Sequence, residues 1–183
     1  GTTTANFSVT RVNSAGSFIV VNHSTSSLDV LVDVTGYYLA GTPSGPGAFA
    51  PLNPQRLLDT RTGVGAAAKS IPAGGSVRLV VAGRGGVPTG AISAAALNFT
   101  VASPATGGYL TAYPTGESEP NASNVNFGAG RTVAGAGIVK VGADGSVTLR
   151  NHSSGTVQLL ADINGYVVGG LPVTRNGYAA DRK

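Results

Sequence analysis

The sequence from Thr156 to Tyr166 reads TVQLLADINGY, and the sequence from Ser27 to Tyr37 reads SLDVLVDVTGY. Extended outward from these two stretches, residues 1–41 align with residues 130–170 without a gap and share fourteen identities. A self-match at a fixed spacing is typical of modular architecture. The chain therefore carries two copies of one block, whereas the residues between them, 42–129, occur only once.

Each copy of the repeated block predicts a three-stranded antiparallel meander. The predicted strands are 7–12, 17–21 and 28–34 in the first copy and 137–141, 146–150 and 157–163 in the second. Gly16 and Gly145 close the first turn of each copy, where a short loop needs the positive φ that glycine adopts readily. We expect the two copies to have the same conformation.

The composition of the 183 residues predicts an all-β fold. Glycine is frequent, with 28 residues, 42% of the chain is hydrophobic and only 11% is charged. Further strands are predicted at 56–62, 76–82, 91–101, 108–113 and 123–127, because short β-favouring runs there are separated by Gly and Pro. This pattern favours an antiparallel β-sandwich, jelly-roll-like, with the meander duplicated.

Three segments follow from the repeat and from a Pro/Gly-rich linker near residues 40–47. Residues 1–41 are predicted to be a half-module, residues 42–170 a complete β module, and residues 171–183 a polar tail.

Composition also limits the classes of function. The chain has no cysteine, so disulfides and thiolate metal sites are excluded. Its net charge of +4 comes from scattered basic residues, which argues against nucleic acid as a partner. No apolar run reaches the roughly 20 residues of a membrane span. No catalytic motif or metal-ligand spacing is present, so we expect no enzyme activity, no cofactor and no metal.

Five motifs occur in order along the chain. They are FAPLNPQRLLDTRTG at 49–63, VAGRGGVP at 81–88, GYLTAYP at 108–114, SNVNF at 123–127 and ADINGY at 161–166. Together they resemble a repeat module of secreted actinobacterial proteins. The resemblance covers residues 42–170 as one full module and residues 1–41 as the end of a preceding one. It implies a secreted, extracellular and non-catalytic module, found as an appendage or in tandem arrays. This chain departs from a simple array because its leading module lacks a first half.

Charged residues near the start of the complete module are candidates for structural ion pairs. Strand alternation places Leu57, Asp59 and Arg61 on one face and Arg56 on the other. Asp59 and Arg61 are therefore predicted to be neighbours. Because buried charges are normally paired, we predict that Arg56 or Arg61 contacts Asp162. Asp33, the first-copy equivalent of Asp162, is a further candidate partner.

Ligand-binding candidates are Tyr109, Tyr113 and Arg84. The two tyrosines share a strand face and could form a platform on which sugar rings stack. His23 and His152 occupy equivalent positions predicted to lie in polar loops. Glu117 and Glu119 are predicted to be solvated charges of a surface loop.

Two hypotheses of function follow. In the first, the chain is a non-catalytic extracellular module that binds a polysaccharide or another component of the cell envelope. In the second, it is a structural, self-assembling subunit whose extra half-module completes the sheet of a neighbouring copy, because unpaired strands are templates for pairing. Alternatively, residues 1–41 fold back on the same chain and enlarge its domain.

Overall fold

A computed structural model of the chain describes residues 5–39 and 41–170, so the predicted tail, 171–183, lies outside the described residues. The prediction of an all-β fold is confirmed. Within those residues no helix is long and apolar enough to cross a membrane. The strands are β1 (Phe49–Asp59), β2 (Ser76–Val80), β3 (Ile92–Ala102), β4 (Gly108–Pro114), β5 (Val125–Phe127), β6 (Val133–Lys140), β7 (Ser146–Ser153) and β8 (Gln158–Val168).

The eight strands form two antiparallel sheets of four. The first sheet has the order β1-β8-β3-β6, and the second has the order β2-β7-β4-β5. The pairing is nested: β1 pairs with β8, β2 with β7, β3 with β6 and β4 with β5. The chain thus runs like one long hairpin that has been rolled up: successive strands alternate between the two sheets, except β4 and β5, which are neighbours in the second sheet.

One hydrophobic core lies between the two sheets. Leu58, Leu97 and Phe99 of the first sheet and Leu79 and Leu149 of the second belong to the same buried cluster. Alternation explains this arrangement, since every second side chain of a strand faces the same side. Two sheets that share one core make a β-sandwich, as predicted.

The predicted meander of residues 130–170 is wrong in its pairing. Strand β6 pairs only with β3, β7 lies between β2 and β4, and β8 lies between β1 and β3. We call β6–β8 (133–168) the returning block and β1–β5 (49–127) the acceptor block. The strands of the returning block hydrogen-bond to the acceptor block and not to one another.

The first copy of the repeat does not adopt the predicted strands. Residues 5–39, which we call the leading block, contain no strand in the structure, so the expectation that both copies share one conformation is wrong. The physical reason is the pairing just described. A copy of this block needs β1–β4 as partners, and in this chain the returning block already occupies them.

Candidate functional site

The outer face of the second sheet collects polar and aromatic side chains. In β4, Leu110 and Ala112 face the core, so Tyr109 and Tyr113 lie on the outer face. Thr111, between the two tyrosines, is buried there under the loop after β4, where its hydroxyl donates to the Ala122 carbonyl at 2.9 Å. The expectation that Tyr109 and Tyr113 share a face therefore agrees with the burial pattern of this strand. In the register of β4 with β7, Tyr109 lies opposite His152.

Tyr109 and His152 form a stacked pair on this face. Their ring centroids are 4.5 Å apart and their planes differ by only 8°. Cross-strand neighbours on one face of a sheet contact each other in this way. The pair presents a flat aromatic surface, because Tyr109 remains 38% exposed.

Glu119 holds this pair in place from the loop between β4 and β5. One carboxylate oxygen contacts Nε2 of His152, and the other lies 3.2 Å from Nη1 of Arg150. Two expectations from the sequence are wrong here. His152 belongs to β7 and not to a loop, and Glu119 is a paired carboxylate with a side chain only 23% exposed.

The remaining polar groups extend the face toward the other end of β7. Tyr113 lies opposite Thr148, whose hydroxyl is 3.0 Å from that of Thr115. On the far side of β7, Arg78 donates from Nε to Asp144 at 2.9 Å. The face therefore combines two tyrosine rings with hydroxyl, guanidinium and carboxylate groups that can hydrogen-bond a ligand rich in hydroxyls.

Arg84 does not join the two tyrosines. Its guanidinium donates to the backbone carbonyl of Leu57 at 2.8 Å and to that of Val80 at 3.3 Å. Val80 pairs with Ser146, six residues along β7 from the His152 that faces Tyr109, which is about 20 Å at ~3.3 Å per residue. In the structure Arg84 therefore links the turn after β2 to β1 by hydrogen bonds.

The predicted ion pair between the start and the end of the module is confirmed. Arg56 donates from Nε to Oδ1 of Asp162 at 2.6 Å and from Nη2 to Oδ2 at 3.2 Å. The two residues are also direct partners in the register of β1 with β8. The hydrogen bonds with Asp162 raise the pKa of Arg56.

Four charged side chains form a cluster here, Arg56, Asp59, Arg61 and Asp162, and Asp59 is its buried centre. It accepts from Nε of Arg61 at 3.0 Å, from Nη2 at 2.8 Å and from the Arg61 backbone N–H at 3.0 Å. Nη1 of Arg56 donates at 3.3 Å to Oδ2 of Asp59, the oxygen that also accepts from Nη2 of Arg61. The hydrogen bonds with Arg61, against the opposing effect of burial, lower the pKa of Asp59 to about 2. The predicted Asp59–Arg61 contact is thus confirmed.

Simple alternation fails at this point of β1. Leu57 and Leu58 are both buried, and the register shifts between Arg56 and Leu58. Such a bulge places one extra residue in a strand and redirects the side chains that follow. It brings Arg56 and Asp59 together, although alternation predicts that they lie on opposite faces. Asp33 makes no ion pair within the described part of the chain, so its predicted role is not seen there.

A groove lies at one end of the sandwich. It encloses about 320 Å³ between residues 82–92 and 141–145. Its walls are mostly glycine, alanine and other small residues without an aromatic ring, and the carboxylate of Asp144 in it is already bonded to Ser146 and Arg78. This groove offers no surface on which a sugar ring can stack.

No group of three or more metal-ligating side chains converges within residues 5–39 and 41–170. No protein-family model matches this chain, and no curated protein matches it significantly.

Proposed function

We propose that the chain is a non-catalytic, extracellular β module of jelly-roll connectivity that binds a polysaccharide, such as a cell-envelope polymer, on the outer face of its second sheet. The observation that carries the proposal is the stacked Tyr109–His152 pair on this exposed face. The nested order of the eight strands supports the jelly-roll class. The extracellular location rests on the resemblance of the five motifs.

Ring stacking favours a carbohydrate ligand. The apolar face of a sugar ring packs on an aromatic side chain, while its hydroxyls hydrogen-bond to neighbouring polar groups. His152 supports Tyr109 from one side, and Glu119 holds His152, so the tyrosine ring is ordered before a ligand arrives. Preorganisation of this kind lowers the entropy cost of binding.

The spacing of the two tyrosines favours a polymer over a single sugar. Tyr109 and Tyr113 are four residues apart in one strand, which is about 13 Å at ~3.3 Å per residue. A ligand that contacts both rings must therefore be extended. Thr148 and Arg78 lie beside Tyr113 in the strand register and supply hydrogen-bonding groups at that end.

The test is retention on insoluble cell-wall polysaccharide, measured as a binding isotherm for the unchanged chain and two variants. We expect Tyr109→Ala to weaken binding by at least about 5-fold, since aromatic stacking contributes on the order of 1 kcal/mol or more. Tyr37→Ala is the matched control, because this tyrosine is 84% exposed but lies outside the face. Equal affinity of the Tyr109→Ala variant, or equal losses in both variants, contradicts the proposal.

A second candidate function is association through the leading block. It is favoured by a concentration of exposed apolar side chains: of the seventeen large exposed hydrophobic residues in the described ranges 5–39 and 41–170, fourteen lie between Phe7 and Leu39. Patches of this kind mark interaction surfaces. Sedimentation velocity over a range of concentrations, with and without residues 1–41, tests whether the partner in this association is a second copy of the chain.

A further inference from the structure

The leading block retains the core-facing pattern of the returning block. Eight of the nine buried apolar positions of the returning block correspond to large apolar residues of the leading block that are exposed, and the exception is Thr10, the equivalent of Val139. With the returning-block residue second, the eight pairs are Val12/Val141, Phe18/Val147, Val20/Leu149, Leu28/Val157, Val30/Leu159, Leu31/Leu160, Val32/Ala161 and Val34/Ile163. The leading block is therefore suited to cover the same kind of core.

Two polar residues of the leading block, Asn22 and Asp33, correspond to returning-block residues that bond to the acceptor block. Asn22 donates to the Ser26 carbonyl at 2.8 Å, and its equivalent Asn151 makes the same local bond to the Gly155 carbonyl at 2.8 Å. Asn151 also donates to the Pro72 carbonyl of the acceptor block at 2.9 Å. The equivalent of Asp33 is Asp162, whose partner Arg56 is likewise in the acceptor block.

A second copy of this chain cannot supply the missing partner at a net gain. Each copy has one acceptor block, and its own returning block fills it, with β8 between β1 and β3 and β7 between β2 and β4. If the leading block of one copy displaced the returning block of another, it would expose as much apolar surface as it covered. Exchange between copies therefore leaves one block unpaired per chain.

The returning block also fits its own acceptor better. Ala161 is fully buried opposite both Leu58 and Phe99, so valine at this position, as in the leading block, overpacks the core. Valine in place of Leu149, Leu159 or Ile163 leaves small cavities instead. These differences in side-chain size explain why the returning block, and not the leading block, pairs with strands β1–β4.

We propose that the partner of the leading block is a polypeptide segment of the acceptor type that has no returning block of its own. Its defining chemistry is a set of five strands with an apolar inner face and an arginine at the position of Arg56. Charge complementarity with Asp33 and a carbonyl equivalent to that of Pro72 for Asn22 set the register. The inference rests on the second proposed function, association through the leading block, and names its partner.

The experiment adds an acceptor to the full chain. A second copy of residues 42–129 is fused before Gly1, so that Ala129 of the added copy is followed by Gly1, as Ala129 is followed by Gly130 in the chain itself. Amide hydrogen exchange of residues 28–34 is compared in the fused and the unchanged protein. We expect at least about 100-fold slower exchange in the fusion, because these residues then join a sheet. Exchange that is unchanged by the fusion overturns the proposal.

A matched fusion carries Arg56→Gln in the added copy only. We expect weaker protection of residues 28–34 in this variant, and Asp33→Asn in the leading block should give the same loss. Equal protection in all three fusions overturns the assignment of Asp33. If the unchanged chain already forms dimers that protect residues 28–34, the partner is a second copy of the chain. The proposed acceptor-type partner is then wrong, but association through the leading block is supported. If neither protein protects these residues, association through the leading block fails as well.

Discussion

The buried carboxylate of Asp59 should control the acid stability of the sandwich. Asp59 is only 4% exposed, and its oxygens accept bonds from Arg61 and lie close to Arg56. The substitution Asp59→Asn keeps the size of the side chain and removes its charge. We expect this variant to unfold more easily than the unchanged protein at neutral pH.

The magnitude follows from the pKa of Asp59. It falls from an ordinary value of 3.8 to about 2, and at ~1.4 kcal/mol per pKa unit this corresponds to roughly 2 kcal/mol. The side chains of Arg56 and Arg61 are 41% and 47% exposed, so solvent screens part of the interaction. We therefore expect a loss of about 1–2 kcal/mol and a fall in Tm of roughly 3–8 °C.

The pH dependence has a defined sign. Because the folded pKa of Asp59 is lowered, its stabilising contribution is complete above about pH 4 and is lost as the pH falls from 3.8 toward 2. The difference in unfolding free energy between the unchanged protein and Asp59→Asn should be full at pH 6 and should fall to a small fraction of that value near pH 2, where about half of Asp59 is protonated in the folded protein. The pKa of Asp144 is lowered too, by its bonds with Ser146 and Arg78, but this effect is common to both proteins.

Urea unfolding followed by circular dichroism at pH 6, 4, 3 and 2 measures this difference. Asp29→Asn is the control, because Asp29 is an exposed aspartate of the leading block, and it should leave the curve unchanged at every pH. A difference that stays constant from pH 6 to pH 2, or no difference at pH 6, refutes the reasoning.

Three further substitutions test the packing, and thermal unfolding measures each one. Gly165→Ala should cost about 2–3 kcal/mol, because its Cβ would lie 2.9 Å from a ring carbon of Phe49, whereas Gly128→Ala, which meets nothing within 4 Å, should be nearly neutral. Asn151→Ala should cost about 1–3 kcal/mol, because the carbonyls that accept its bonds lose their donor inside the protein; a loss below 0.5 kcal/mol would contradict this. Arg56→Lys keeps the charge but lacks the planar guanidinium, whose Nε and Nη2 make two parallel bonds to Asp162, so it should lower stability by up to about 1 kcal/mol, and a gain in stability would contradict the assigned pair.

Alternation within one strand was enough to predict half of the candidate site. It placed Tyr109 and Tyr113 on a common face, because side chains of a strand alternate whatever its neighbours are. It could not predict His152, Arg150 and Glu119, which reach the same face from β7 and from the loop after β4. Which residue lies opposite which depends on the register between strands that are far apart in sequence.

In the charge cluster, too, one contact follows from local sequence and another depends on strand pairing. The contact of Asp59 with Arg61 is local and follows from their spacing. The contact of Arg56 with Asp59 depends on a bulge in β1, and that bulge is defined only by the pairing of β1 with β8.

The repeat shows most clearly which features depend on local sequence and which depend on tertiary contacts, because its two similar copies lie in different environments. Gly16 and Gly145 have φ values of +74° and +73°, and each N–H closes the same turn, onto Asn13 and Gly142. The sequence by itself determined these turns, since their hydrogen bonds join residues that are close along the chain. Only the tertiary structure decided which copy becomes strands. The hydrogen bonds of a strand must come from a neighbouring strand, and the acceptor block can pair with one copy at a time.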